Sequence, residues 1–493
     1  MEVIITAILA EITNRSISYV AGKYLEVTGR PAMQDKWLQE LQQLLLRVHI
    51  IVEEAEGRLI TNRAMVHQLS IMRKEMYRGY FTLDSLRIQA REAKDHDDVS
   101  HSFALSKFKR AKRLFSSGDG MIRNNDELQQ VIRNLCNIVD DVKELVVFLK
   151  NYPPLYRQPY SMHLCCWQVH VWSPDGSGQG HGFLDAEWAS KHHERCRRYA
   201  DCRPGYVGKS TLVAHVCYDV RVRNHFSRVV VLHGDEISDD PLASLNHGGA
   251  LIYENNDLGE KERVLAIIEF SENVDKLAWN NIYSSFSEFL VSGSKIIITS
   301  NSHKVKKFGT TQALILNFLP IEAYWYFFKV LTFGSADSNE HPKLESVAME
   351  IAREMGGSFI AANIISSILR KKLSAQYWGW CLTAFKENIK RNVSMFGEHP
   401  YDLLQKQKCA CYRIKEDEYM VSNQYHASRL CGDNIQTTMY DVVSGKVNCE
   451  GAFEILAWKS HIRPYKSYTI SCIIQKKKTR PVGEEPSPRH CNM

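Results

Sequence analysis

The stretch Gly205-Tyr206-Val207-Gly208-Lys209-Ser210-Thr211-Leu212 constrains the fold of this chain more than any other. A glycine-rich turn feeding a helix N-terminus offers backbone N–H groups to phosphate; a lysine there reaches terminal phosphates, and the serine hydroxyl can hold Mg²⁺. The apolar run Val213 to Val220 supplies the helix. Arg228-Val-Val-Val-Leu-His233 then reads as a buried strand. Arg263-Val-Leu-Ala-Ile-Ile-Glu269 reads as a second that ends in an acid, and Gly293-Ser-Lys-Ile-Ile-Ile-Thr-Ser-Asn301 as a third after a helix-sized interval. Strands alternating with helices behind a phosphate loop predict a parallel α/β sheet.

Ahead of this region the pattern is helical. Leu38, Leu41, Leu45, Val48, Val52 and Ala55 advance by alternating steps of three and four, which puts them on one helix face. Leu128, Val131, Leu135, Ile138, Val142, Leu145 and Leu149 repeat the pattern, and two more amphipathic faces lie in Met1 to Ala21 and Ala64 to Ala90. Such seams cannot be buried singly, so a four-helix bundle over 1–152 is expected, closed by Pro153-Pro154.

Composition narrows the class. A chain of 493 residues exceeds one ordinary core, and 44% hydrophobic with 24% charged residues is a soluble globular balance. A net charge of +6 is mild, and Lys476-Lys477-Lys478 reads as a solvated tail, so no nucleic acid is expected. The N-terminus begins with an acid and is interrupted by Glu11, so neither a signal peptide nor a stable membrane span is expected. The 13 cysteines contain no CxxC pair and predict a reducing compartment. His192, His193, Cys196 and Cys202 match no common zinc spacing.

The ordered helices, the phosphate loop, the three strands, Leu319-Pro320-Ile-Glu322-Ala323 and Gly356-Gly357 together resemble the plant coiled-coil NB-ARC (NLR-type) disease-resistance proteins. The resemblance implies a multidomain α plus α/β chain. A four-helix bundle over 1–152 is followed by a linker over 153–203, a P-loop NTPase-like parallel-sheet domain over 204–330, a helical ARC1-like segment over 331–375, and a small irregular region over 376–493. It implies a cytoplasmic defence-signalling protein, not an enzyme, that binds ADP or ATP as a conformational switch. Gly205, Val207, Gly208, Lys209, Ser210 and Thr211 would meet the nucleotide, and Ser210 and Glu269 would hold Mg²⁺. Implied partners are other immune receptors or signalling proteins, engaged through the helical domain, together with self-association. No leucine-rich repeat of the L-x-x-L-x-L type follows Lys372, so a truncated receptor is expected.

Departures from the family pattern bear on mechanism. Arg203 stands where the loop pattern has its first glycine. The second strand ends in Glu269-Phe270 rather than two aspartates; phenylalanine cannot orient water, so hydrolysis is not expected. Asn301 replaces a phosphate-sensing arginine, and Ser358-Phe359 replace leucine and proline after Gly356-Gly357. The acidic motif of the third helix is reduced to Asp84 within Gly79 to Leu86, so no intramolecular docking through that face is expected. These losses leave an alternative, a nucleotide-free decoy or adaptor acting through the helical domain, or a pseudogene product.

Cys165 to Arg203 show no periodicity and no strand where one should precede the loop. With permissible codons, reading one nucleotide later spells an apolar VVGVMPIV and restores the glycine in GPGYVGKST, so a frameshift is expected there. In the C-terminal region, Arg391 to Leu404 read as a short helix and Tyr440 to Ile474 as a few strands.

Overall fold

The computed structural model describes residues 32–56, 63–98, 118–149, 196–202, 207–218, 220–234, 250–254, 263–270, 274–310, 318–334, 336–405, 408–413, 418–428, 437–444, 451–460 and 467–476, with a few single positions besides. The chain divides into two compact units, 1–362 and 363–493.

Among the described residues, the first unit begins with three packed helices, α1 (Ala32–Glu56), α2 (Arg63–Asp98) and α3 (Gly118–Leu149). Every residue of the Leu38-to-Ala55 seam is buried, as is the α3 seam except Ile138, which packs at its margin. Leu69, Met76 and Leu83 of α2 complete the core. Each such Leu, Val or Met side chain contributes about 1.5–3 kcal/mol on burial. Gly79 permits the close approach of α1 and α2, because a Cβ there would come within 2.6 Å of Leu45 Cδ2. The fourth expected segment, Met1 to Ala21, lies outside the described residues.

The sheet follows: β1 (Cys196–Cys202), β2 (Arg228–His233), β3 (Ala250–Glu254), β4 (Val264–Phe270) and β5 (Ser294–Ser300), ordered β1-β5-β4-β2-β3. β1, β5, β4 and β2 run parallel, and β3 joins β2 antiparallel. Alternate residues serve opposite faces, as a pleated strand requires. Val229, Val231, Leu265, Ile267 and Ile297 pack with Val213 and Cys217 of α4 (Lys209–Tyr218) and Val222 of α5 (Val220–His225). Val230, Leu232, Ala266, Ile268, Ile296 and Ile298 pack with Trp279 and Phe286 of α6 (Lys276–Phe289). The expected parallel sheet is therefore present, with β3 an addition.

β1 corrects the reading of Cys165 to Arg203 as strandless. The encoded residues Cys196–Cys202 pair with Ser294–Ser300 along the whole strand. A parallel ladder is made of backbone hydrogen bonds and needs no apolar alternation, which is why periodicity missed it.

Beyond the sheet lie α7 (Ile321–Phe333) and α8 (Pro342–Glu354). Both pack against α2, which corrects the expectation that its Asp84 face has no docking role. Trp325 Nε1–H donates to Asp84 Oδ2 at 3.0 Å, and Lys329 Nζ donates to the same oxygen at 2.8 Å and to Glu345 at 2.6 Å. Arg87 adds ion pairs to Asp84 at 3.5 Å and to Glu345 at 3.9 Å. One carboxylate suffices because it bridges an indole and two cations, and α8 supplies the second acid. Around this core, Tyr77 and Tyr80 meet Tyr326, and Arg353 lies over Phe81.

α8 ends at Gly356 and Gly357, with φ of 60° and 84°, a left-handed region that favours glycine. Ser358 and Phe359, which break the family pattern, are used in packing. The Ser358 carbonyl accepts from Tyr324 Oη at 2.7 Å, and Phe359 meets Phe327 edge to face.

Helix α9 (Phe359–Leu369) contains the division between the units. The second unit is more regular than the expected small irregular region. It holds α10 (Ala375–Phe396), α11 (Pro400–Gln405), α12 (Met439–Val443) and a four-stranded antiparallel sheet, β6-β7-β9-β8. The strands are β6 (Ala410–Arg413), β7 (Glu418–Ser428), β8 (Ala452–Lys459) and β9 (Ser467–Lys476). Arg391 to Leu404 is not one helix, because Gly397 stops α10 in a left-handed conformation before α11 begins. Asn392, fully buried, mimics a neighbouring strand for β6. Its Nδ2 donates to the Cys411 carbonyl at 2.7 Å, and its Oδ1 accepts from the Cys411 N–H at 2.9 Å. Asn388 Oδ1 accepts from Arg413 N–H at 2.8 Å, so α10 satisfies that edge.

Candidate functional site

The phosphate-loop residues sit at the carboxyl edge of the parallel sheet, where open α/β sheets hold ligands. β1 and β5 are neighbours, with Cys202 opposite Ser300 at their carboxyl ends. Val207 is buried, and Gly208 has φ of 90°, a conformation that disfavours side chains. The Gly208 carbonyl accepts the first helical bond, from Leu212 N–H at 2.9 Å. Lys209, Ser210 and Thr211 thus form the first turn of α4, whose N–H groups have no intrahelical acceptor. Gly205 and Arg203 lie outside the described residues.

The geometry brings Lys209 to Asn301. Lys209 is 9% exposed, and its Nζ donates to Asn301 Oδ1 at 2.8 Å. The sequence marks Asn301 as a lost arginine; its use as the lysine's acceptor is visible only once β1 and β5 are adjacent.

Glu269 stands opposite His233 on β2 and Thr299 on β5. Its Oε2 lies 3.6 Å from His233 Nδ1. Burial, reinforced by the Glu269 carboxylate, pushes the Cys217 thiol up to about 12, so it is a neutral core group rather than a nucleophile. Among the described residues no group of three or more His, Cys, Asp or Glu side chains is gathered.

Phe270 is part of the core. It is buried, meets Trp279 edge to face, and Trp279 stacks on Phe308 at 5.2 Å. The ring also lies over Gly234 just after β2, where a Cβ would come within 2.3 Å of Phe270 Cδ1. The residue that follows Glu269 at the end of β4 is thus an aromatic plug in the core. Sequence reading singled out Phe270 but not its surroundings Gly234, Trp279 and Phe308. A glycine directly after a buried strand was the available signal.

No protein-family model matches the chain. Three plant proteins are similar to it. Disease resistance protein RGA2 of Solanum bulbocastanum is 26% identical over 189 residues, 35% of this chain and 19% of that protein. Putative disease resistance protein RGA1 of the same species is 26% identical over 194 residues, with 35% and 19% covered. Putative disease resistance protein At1g50180 of Arabidopsis thaliana is 23% identical over 224 residues, with 41% and 25% covered. The chain is thus similar to plant NLR-type resistance proteins, and the matches span 19–25% of those relatives' lengths. A solved structure of C. elegans PCH-2 gives a TM-score of 0.22 at 15% identity, covering 48% of this chain and 67% of that one, too slight a likeness to bear on the fold. Among the described residues no helix is long and apolar enough to cross a membrane.

Proposed function

We propose that this chain is an immune-receptor-like signalling module that holds ADP or ATP as a conformational switch without hydrolysing it. The observation carrying this reading is the pairing of a formed lysine-bearing first turn of α4 with a hydrolytic position filled by buried Phe270. In it, Gly205, Val207, Gly208, Lys209 and Thr211 meet the nucleotide. Lys209 contributes charge and the first-turn amides contribute hydrogen bonds. Ser210 and Glu269 would hold Mg²⁺, which when bound offsets phosphate charge. The helical domain is the output element, held by the Asp84 seam to α7 and α8 until the switch releases it. Its partners are other receptors or signalling proteins, or a second copy of the chain, in the cytoplasm.

A second reading, a nucleotide-free adaptor acting through the helices, is favoured by the Lys209–Asn301 bond, which satisfies the lysine without phosphate. ATP retention and phosphate release measured on one sample separate these from an ATPase. The proposal expects bound ATP recovered uncleaved. Steady phosphate release that vanishes in Lys209→Ala refutes it.

A further inference from the structure

Lys209 is a cation seated in the first turn of a helix, where the backbone dipole is already positive. A site built for phosphate leaves that charge to be compensated when phosphate is away. Here one partner of the lysine is visible: the Asn301 amide oxygen accepts from Lys209 Nζ at 2.8 Å, while the lysine is 9% exposed. Asn301 directly follows β5, whose last residue Ser300 pairs with Cys202 of β1. Its own side chain is on the exposed side, so it can turn to water without leaving a buried group unpaired. The amide is neutral, so it brings no counter-charge of its own to the lysine. A phosphate oxygen, being ionised, makes the stronger bond to the same ammonium.

We propose that Asn301 is a positioning residue that stands in for phosphate on Lys209, holding the loop lysine at the site and yielding when a nucleotide's phosphates enter. The inference rests on the nucleotide-binding reading above. It makes Asn301 a competitor of the ligand, so that its side chain sets the loop's affinity from the unliganded side.

The test is calorimetric titration of the full chain with ADP, comparing wild type, Asn301→Ala, Asn301→Asp and Lys209→Ala, with circular dichroism to verify folding. Removing the competitor in Asn301→Ala is expected to tighten ADP binding by about fivefold, the worth of one ordinary hydrogen bond. Asn301→Asp neutralises Lys209 and repels phosphate, and is expected to weaken binding by more than about tenfold. Wild-type binding that is unchanged or weakened by Asn301→Ala overturns it while the nucleotide reading stands. No ADP bound by any of the folded proteins removes both.

Discussion

Replacing Asp84 by alanine tests how firmly the helical domain is held. Asp84 is 5% exposed and accepts from Trp325 Nε1 at 3.0 Å and Lys329 Nζ at 2.8 Å. Lys329 keeps Glu345 at 2.6 Å after the change, so its loss is partial. Trp325, 1% exposed, is left with a buried N–H and no acceptor from this helix. Losing a hydrogen bond to a charged acceptor and stranding a buried donor together cost about 3 kcal/mol. That corresponds to roughly a 150-fold shift in the local opening equilibrium. Native-state hydrogen exchange on α2 and α7 reads this directly. A cycle with Trp325→Phe, which retains the ring but not the donor, should give a coupling of about 1 kcal/mol. Protection in Asp84→Ala within about threefold of wild type, or strict additivity in the cycle, refutes the claim that this carboxylate holds the helices together.

Other positions give independent tests. Gly234→Ala pushes a Cβ to within 2.3 Å of Phe270 Cδ1, and chemical denaturation should register a loss of about 2 kcal/mol. Phe270→Asp places a carboxylate against Trp279; urea unfolding should show destabilisation of about 3 kcal/mol or more, with no gain of ATP turnover. Asn392→Leu strands the buried Cys411 N–H and C=O, and should lower stability of the second unit by about 3 kcal/mol in a thermal melt that resolves it. His225 is held down to about 4 by burial, then by Arg263 and Lys295. The unfolded chain, with His near 6.5, therefore binds more protons between those values. This group's contribution is complete above about 6.5 and is lost as pH falls toward 4, which His225→Gln should flatten in a stability-versus-pH series.

Periodicity made the helices and central strands legible because their side chains are what bury them. The Leu38-to-Ala55 and Leu128-to-Leu149 seams and the strands ending at His233, Glu269 and Asn301 lie close to where spacing put them. The features missed are those made by backbone or by pairing across long separations. β1 is a charged heptapeptide that enters the sheet through its amides. The Asp84 seam joins residues 241 and 245 positions apart, and counting acids within one motif could not reveal that Trp325, Lys329 and Glu345 complete it. At the candidate site, Lys209, Ser210 and Glu269 were readable as residue types. The Lys209–Asn301 bond depends on strand order, and the Phe270 plug on a glycine and an α6 tryptophan.

The central claim is that the first turn of α4 holds a nucleotide through Lys209. Titration of purified wild-type and Lys209→Ala chains with ADP in the presence of Mg²⁺ tests it most directly. The account predicts saturable binding in wild type, and a loss of at least about tenfold in the variant, the scale of one charge-assisted phosphate contact. Equal binding in both, or none in wild-type protein whose circular dichroism reports a folded chain, contradicts it.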